Sequence, residues 1–593
     1  MLTIRLLGRP AIERDGQPAR APRGKKAWAL LCYLVLAERP PSRRHLAELL
    51  FQDAADPLGA LRWTLAELRR ALGRSDLFGG DPVSTGLDGA VVDVDPQSTV
   101  DTESIVDTGG ELLEGIELGS NVEFGSWLLV ARHRVSAAIE ARLHDRAVTL
   151  LAAGRTAEAI DYASRAVARN PLEQGNHELL VRSLALAGDR NAALRQIAAC
   201  EDLLRRELGV EASPALREAA NVAPDSPIGL AAGGRAAAAS QLEAGRAAIA
   251  AGAVDAGVQC LRRAVAEAAS CGDTALHARA LTALGGALVH AARGRDEEGA
   301  LALHESLALA ERSGDRATAV LAHRELGFIE VQAGRRATAE AWLGKAQRLA
   351  ETDEELAAIL GVRGMNASDM GDYPGAFAHL NESIERASAS ADQRQEAWSL
   401  SILARAHLLR AERSQAAAAL ARSLELTQQQ RWMAFLPWPL ALRAELDLES
   451  GDADGAADKL EQAWVLACQV GDPCWEGMAA RGLARLNGSR GDRASAVRWH
   501  SEAATRVSRV PDRYQWVHAH VLDAAAASAL DQADVERARR LVATLGALAA
   551  RCDMRELVVR AHLHRHRLGD PGALASARML AAHIDNPALS ALL

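Results

Sequence analysis

Aromatic residues are scarce: Phe, Tyr and Trp together make up 4% of 593 residues. Alanine and leucine dominate instead, and this balance favours helix along most of the chain. Cysteines are few and scattered, at positions 32, 200, 260, 271, 468, 474 and 552. No Cys-x-x-Cys pair occurs, and five residues separate Cys468 from Cys474, which is not a zinc-site spacing. Buried thiols in a reducing cytosol fit this usage. The longest apolar run, Ala27 to Ala37, is too short to span a bilayer, and no signal-peptide core is present. A soluble, cytoplasmic protein without membrane partners is expected. A phosphate-binding loop is also missing. Gly229, Gly233 and Gly234 are followed by Arg235 and Ala236, where such a loop needs Gly-Lys and then Ser or Thr. No paired carboxylates, nucleophile motif or cofactor fingerprint appears, so neither an enzyme nor a cofactor is expected. His562 and His566 share a helix face at a zinc-like spacing, with His564 and Cys552 nearby. No third ligand is suitably spaced, so the reading is a polar helix and no metal.

The length calls for several domains, or for a small domain in front of a repeat array. A net charge of −9 excludes a general nucleic-acid binder. The charge is uneven, however. Residues 1–75 hold 14 Lys and Arg against 7 Asp and Glu, a local balance of +7. Residues 76–125 hold 12 acids and no Lys or Arg. A basic head can meet phosphate; the alternative is a solvated surface.

Leu2, Ile4 and Leu6 alternate with polar residues as in a strand, and Ala11 to Arg14 can return as a second one after folding back. Lys25 to Ala37 reads as a helix stopped by Pro40 and Pro41. Ser42 caps a short second helix through Leu50. Asp56-Pro57 opens a third: the Asp accepts an orphan amide, and Pro at the first helical position wastes no donor. Leu61, Leu65, Leu68 and Leu72 share its buried face. Trp63, Glu67, Arg70 and Arg74 point the other way, Arg62 and Arg69 flank them, and Gly73 ends the helix. Val83-Ser84-Thr85, the turn Leu87-Asp88-Gly89 and Val91 to Val94 predict a hairpin. Periodicity alone favours an amphipathic helix with a solvated arginine face.

The stretch HLAELLFQDAADPLGALRWTLAELRRALG, residues 45–73, resembles the OmpR-like winged helix of the Streptomyces antibiotic regulatory protein (SARP) family. The resemblance implies that residues 57–72 enter the major groove. It implies that Arg62, Trp63, Thr64, Arg69, Arg70 and Arg74 contact bases or phosphates, and that Lys25, Lys26, Arg43 and Arg44 grip the backbone. Guanidinium groups suit both tasks because they present paired donors. The wing VSTGLDGAVVDVD departs from the family pattern, with neither Tyr nor a basic residue, and its acids would repel phosphate.

Gly154-Arg-Thr-Ala-Glu-Ala and Gly188-Asp-Arg-Asn-Ala-Ala lie 34 residues apart, the tetratricopeptide period. FGSWLLVARHRV (124–135), ARNPLEQGNHELLVRSLALAGDRNAALRQ (168–196) and LLRRELGVEASPAL (203–216) resemble the bacterial transcriptional activation domain that follows the winged helix in the same family. Beyond a linker, turn positions recur about every 40 residues: Gly252, Gly294, Gly334, Gly371, Ala411, Gly451, Gly491 and Ala533. Five positions after each stands a small residue: Gly257, Gly299, Ala339, Ala376, Ala416, Ala456, Ala496 and Ala538. These predict stacked helix pairs in a superhelix. Trp398, Trp438, Trp475 and Trp516 recur near the start of consecutive first helices, with Trp432 and Phe435 beside them. They predict either an aromatic ladder along a groove for a peptide or small-molecule effector, or packing between repeats.

The expected architecture is mainly α. A winged helix-turn-helix with small β-sheets spans 1–97, an activation domain 98–220, a linker 221–238, and a tetratricopeptide-like superhelix 239–593. The expected function is a promoter-binding transcriptional activator. Its partners would be double-stranded DNA, RNA polymerase or a sigma factor, an effector on the repeats, and a second copy in a homodimer. The alternative is an interaction scaffold whose winged helix no longer binds specific DNA.

Overall fold

The computed structural model describes residues 2–37, 39–87, 89–94, 110–118, 121–208, 211–221, 234–292, 295–508 and 514–593. Two compact units emerge: residues 1–139 with 570–576, and residues 140–569 with 577–593. The division falls inside helix Val122–Ala152, so the first unit takes residues that the sequence reading assigned to the second domain.

The first unit opens with β1 (Leu2–Arg5), β2 (Ala11–Arg14) and β3 (Gln17–Pro18). Helices α1 (Lys25–Leu36), α2 (Arg43–Leu50) and α3 (Pro57–Leu72) follow, and then β4 (Ala90–Val92). The sheet order is β3-β2-β1-β4, with β1 and β4 parallel. Local chemistry sets the helix ends as expected. The Ser42 hydroxyl accepts from the His45 amide at 3.2 Å, and the Asp56 carboxylate from the Gly59 amide at 2.8 Å. Gly73 ends α3 in the left-handed region. Leu61, Leu65, Leu68 and Leu72 are all buried, together with Leu30, Leu31, Leu46, Leu49 and Leu50.

The predicted hairpin needs correction. Residues 83–85 do not pair with 91–94. Instead Ser84 bridges to Gly79, and the tight turn lies between them. Val91 and Val92 join the N-terminal sheet beside Thr3 and Ile4. Asp93 explains the capture: its buried carboxylate accepts from the amides of Leu6 at 2.8 Å and Leu7 at 3.0 Å. Burial pushes that carboxyl above its ordinary range, against these two hydrogen bonds.

The second unit is all helical among its described residues. After the long helix come Thr156–Arg169, Gln174–Leu186 and Arg190–Leu208. Gly154 and Gly188 take positive φ at their turns, and Ala159 and Ala193 are fully buried five residues later. Helix Arg235–Ala250 begins inside the expected linker, because Ala238 is buried in the first repeat core. Successive pairs then run Arg235–Ala250 with Val254–Cys271, Thr274–His290 with Asp296–Ser313, and Arg316–Gln332 with Arg336–Leu349. Asp353–Met370 with Tyr373–Ala389, Gln393–Leu409 with Arg413–Gln429, and Pro437–Ser450 with Ala453–Val470 continue the series. Pro473–Ser489 with Arg493–Ser508 and Gln515–Asp531 with Val535–Arg551 complete it, and Arg555–Arg567 follows.

These pairs form the tetratricopeptide-like superhelix. Gly252, Gly334, Gly371, Ala411, Gly451, Gly491 and Ala533 all have positive φ; Gly294 lies outside the described residues. The small residues five positions on are buried where helices touch. A Cβ added at Gly257 would stand 2.7 Å from the Ile249 side chain, and Ala339, Ala376, Ala416, Ala456 and Ala538 have no exposed surface. A further repeated device escaped sequence reading. The buried hydroxyls of Ser306, Ser383 and Ser423 donate at 2.7 Å to the carbonyls of Ala278, Ala357 and Ala397. Each ties the second helix of its pair to the first.

Candidate nucleic-acid interface

The outer face of α3 is built by what the leucine face leaves over. Leu58 and Trp63 are exposed large apolar side chains, 47% and 56% accessible. Arg62 and Arg70 extend beside them, with side chains 68% and 54% exposed. Each cation has an acidic neighbour on its own helix end or turn. Arg62 stands 3.6 Å from Asp56, and Arg70 2.9 Å from Glu67. The exposed Arg62–Asp56 pair is held weakly, by about 0–1 kcal/mol, so the Arg62 guanidinium can be re-used.

Two residues of the predicted set, and one read only as facing outward, are placed otherwise. Thr64 is buried, and its hydroxyl donates to the Ala60 carbonyl at 2.8 Å, so it is not on the outer face. Arg69 turns away from that face. Its guanidinium donates to the carbonyls of Leu77 at 2.7 Å and Phe78 at 2.9 Å, and it fixes the start of the wing. Glu67, read as outward, is 1% exposed. It accepts from the Arg23 amide at 3.4 Å and lies near the Arg20 and Arg70 guanidinium groups. Helical periodicity gives the angle at which a side chain leaves the axis, but not where a long side chain ends.

The backbone-gripping set divides similarly. Lys25 is exposed at the start of α1. Lys26 pairs with Asp53, holding that carboxyl below its usual range, and its ammonium lies 5.3 Å from the Phe51 ring centroid. Arg43 binds the wing turn, donating from Nε to the Gly80 carbonyl at 2.9 Å, while its amide donates to Asp81 at 2.9 Å. Arg44 is exposed and pairs with Glu48 at 2.8 Å. Arg74 pairs with Asp76 and lowers its pKa by hydrogen bonding. The acids in and just before the wing are thus partly engaged: Asp76 by Arg74, Asp81 by the start of α2, and Asp93 by burial. Asp88 and Asp95 lie outside the described residues.

The tryptophans do not form a ladder along an open groove. Trp438 is 1% exposed and donates from Nε1 to the Ser401 hydroxyl at 3.1 Å. Trp475 is half-buried, its ring centroid 5.0 Å from that of Trp438. Trp516 is buried in a separate cluster, stacked on His520 at 4.6 Å and lying 4.2 Å from the Arg405 Cζ. Trp398 packs on the neighbouring first helix, where a Cβ added at Gly361 would stand 2.9 Å from its ring. Aromatic bulk here fills the space between repeats. The buried Asp369 carboxylate lies in the same interior and accepts from Arg336 at 2.9 Å, Arg405 at 2.7 Å and Tyr514 at 2.8 Å. His564 pairs with Asp523 at 2.7 Å, and no cluster of three or more metal-ligating side chains occurs among the described residues.

Residues 104–222 match the family model of the bacterial transcriptional activator domain. This match marks a bacterial transcriptional activator domain within the chain, after the winged helix and before the helix pairs in sequence. Helix pairs of tetratricopeptide-like form follow this domain in the chain. Among curated proteins no sequence matches it. Similar solved structures include Mycobacterium tuberculosis EmbR in complex with a low-affinity phosphopeptide. It is 19% identical, with 37% of this chain covering 64% of that one and a TM-score of 0.29. A Rap protein complexed with Competence and Sporulation Factor is 12% identical, over 60% of this chain and 99% of that one, at a TM-score of 0.43. Aspartyl phosphate phosphatase F from Bacillus subtilis is 9% identical, over 69% and 94%, at a TM-score of 0.37. No helix among the described residues is long and apolar enough to cross a membrane.

Proposed function

We propose that the chain is a sequence-specific DNA-binding transcriptional regulator that activates promoters from the cytoplasm. The carrying observation is the outer face of α3, where Arg62, Trp63 and Arg70 project together with Leu58. In this reading α3 lies in the major groove. Arg62 and Arg70 bind base edges or phosphates, and Leu58 and Trp63 meet the apolar parts of the bases. Lys25 and Arg44 supply phosphate contacts, which position the helix without reading sequence. Arg43 and Arg69 act indirectly, by holding the wing. The activator domain engages RNA polymerase or a sigma factor, supports a homodimer, or does both, and the repeats take a partner or effector. No catalytic chemistry is assigned.

Selection of bound fragments from genomic DNA by the full chain tests this. A shared motif is expected, with affinity falling as salt rises because counterions are released. Weak, sequence-blind binding alone would defeat the proposal. It would favour the second reading, a repeat scaffold with an idle winged helix. That reading is motivated by the acidic partners standing beside Lys26, Arg44, Arg62, Arg70 and Arg74.

A further inference from the structure

Within the repeat unit, residues 577–593 do not continue the stack of helix pairs. They fold onto a surface contributed by helices Tyr373–Ala389, Gln393–Leu409 and Arg555–Arg567. Ala577, Ala581, Ile584 and Leu589 are buried there against Tyr373, Ala406 and Val559. Ile584 sits over the Gly371 turn, where an added Cβ would stand 3.7 Å from its methyl group.

The polar contacts are selective. Asn586 is 2% exposed and donates from one amide nitrogen to the Leu409 carbonyl at 3.1 Å and to the Glu556 carboxylate at 2.9 Å. Its side-chain oxygen accepts from the Leu589 amide at 3.1 Å, which sets the short turn of helix Pro587–Ser590. Glu556 is itself oriented by the Tyr373 hydroxyl and by Arg560 at 2.7 Å. Arg410 pairs with Asp585 at 3.3 Å and lies 5.5 Å from the ring centroids of both Tyr373 and Phe377.

The receiving surface therefore has an apolar seat, a carboxylate, a free backbone carbonyl and a cation. These recognise, respectively, apolar anchors, an asparagine amide (twice) and an acid. The occupant contributes no strand pairing and only short helix, and it is held by a few side chains. We propose that this surface is the peptide-binding site of the repeat array and that residues 582–593 are its built-in occupant. A partner protein takes the site by displacing them, using an exposed segment of the same chemistry: a branched apolar residue, an acid, an asparagine and, three residues on, a leucine. The proposal deepens the partner-binding part of the function above and does not depend on DNA binding. Because the occupant is tethered at an effective concentration of about millimolar, a free peptide competes poorly with it in the wild-type chain.

The test titrates a fluorescein-labelled peptide of residues 577–593 into the full chain, wild type and Leu589→Asp. That substitution weakens the occupant and leaves the receiving side chains unchanged. The peptide is expected to bind the variant at least about tenfold more tightly than the wild type, and a peptide carrying Asn586→Ala is expected to bind neither. Equal binding to both chains, or none to a variant that keeps its helical circular dichroism, overturns the proposal. If the variant misfolds, hydrogen exchange of the wild type decides. Amides of 584–593 are expected to exchange at least about tenfold faster than those of Gln393–Leu409, through local release. Equal protection overturns the proposal, because the segment would then be fixed core. Loss of DNA binding in a separate assay would leave either outcome unaffected.

Discussion

Replacing Asp369 with alanine should unfold the repeat unit more readily than any surface change. Its side chain has no exposed surface, and those of Arg405 and Arg336 are 1% and 5% exposed. One carboxylate thus neutralises two buried guanidinium groups and also accepts from the Tyr514 hydroxyl. Removing one partner of a buried ion pair costs about 3–5 kcal/mol, because the remaining charge stays desolvated and uncompensated. Asp369→Ala should fall in that range. Arg405→Met should cost less, since Asp369 keeps Arg336 as its partner. The double variant removes one of the stranded charges, so its loss should be smaller than the sum of the singles by about 1–3 kcal/mol. Urea unfolding of all four chains, followed by circular dichroism, measures this. A loss under about 1 kcal/mol for Asp369→Ala, or strict additivity, would show that water reaches the cluster and that the interior is not sealed.

Other substitutions separate the roles of the head. Arg62→Ala and Arg70→Ala should each weaken specific DNA binding by about 1–3 kcal/mol per lost base contact, while Thr64→Ser leaves affinity unchanged. Gel-shift titrations at fixed salt decide this, and equal effects at all three positions would remove α3 from the groove. Ala416→Leu should destabilise the repeats by about 1–3 kcal/mol through overpacking, read as a lower thermal midpoint. Stability should also fall on both sides of a pH optimum. Burial lowers the His304 pKa to about 4, so the unfolded chain binds its proton between pH 6.5 and 4 and stability drops as pH falls through that window. Burial raises the Glu178 pKa to about 8, so the folded chain holds a proton that the unfolded chain releases between pH 4.5 and 8, and stability drops as pH rises through it. Glu178→Gln should flatten the alkaline fall and leave the acid one, in melts recorded from pH 5 to pH 9.

Much of the helical architecture was legible because its signals are local. A left-handed turn needs glycine or a tolerated alanine, and Gly334, Gly371, Ala411 and Gly451 stand where such turns occur. A close helix crossing needs a small side chain, and Ala376 and Ala416 mark two of them. The caps at Ser42 and Asp56 follow from the same short-range chemistry. The candidate interface was less legible. Arg62 and Trp63 are where periodicity puts them, but Arg69 was assigned to DNA and instead serves the wing. Its partners are backbone carbonyls with no sequence signature.

The amino-acid order alone therefore determined the capped helix ends and the pairing of helices across the recurring turns, since those choices are settled within a few residues. Only the folded chain decided which charges and aromatics remain available. Asp369 meets Tyr514, Glu556 meets Tyr373 and Asn586 meets Leu409 across more than a hundred residues. The energy of a polar side chain depends on whether water or a partner surrounds it, and that environment exists only once distant repeats have packed.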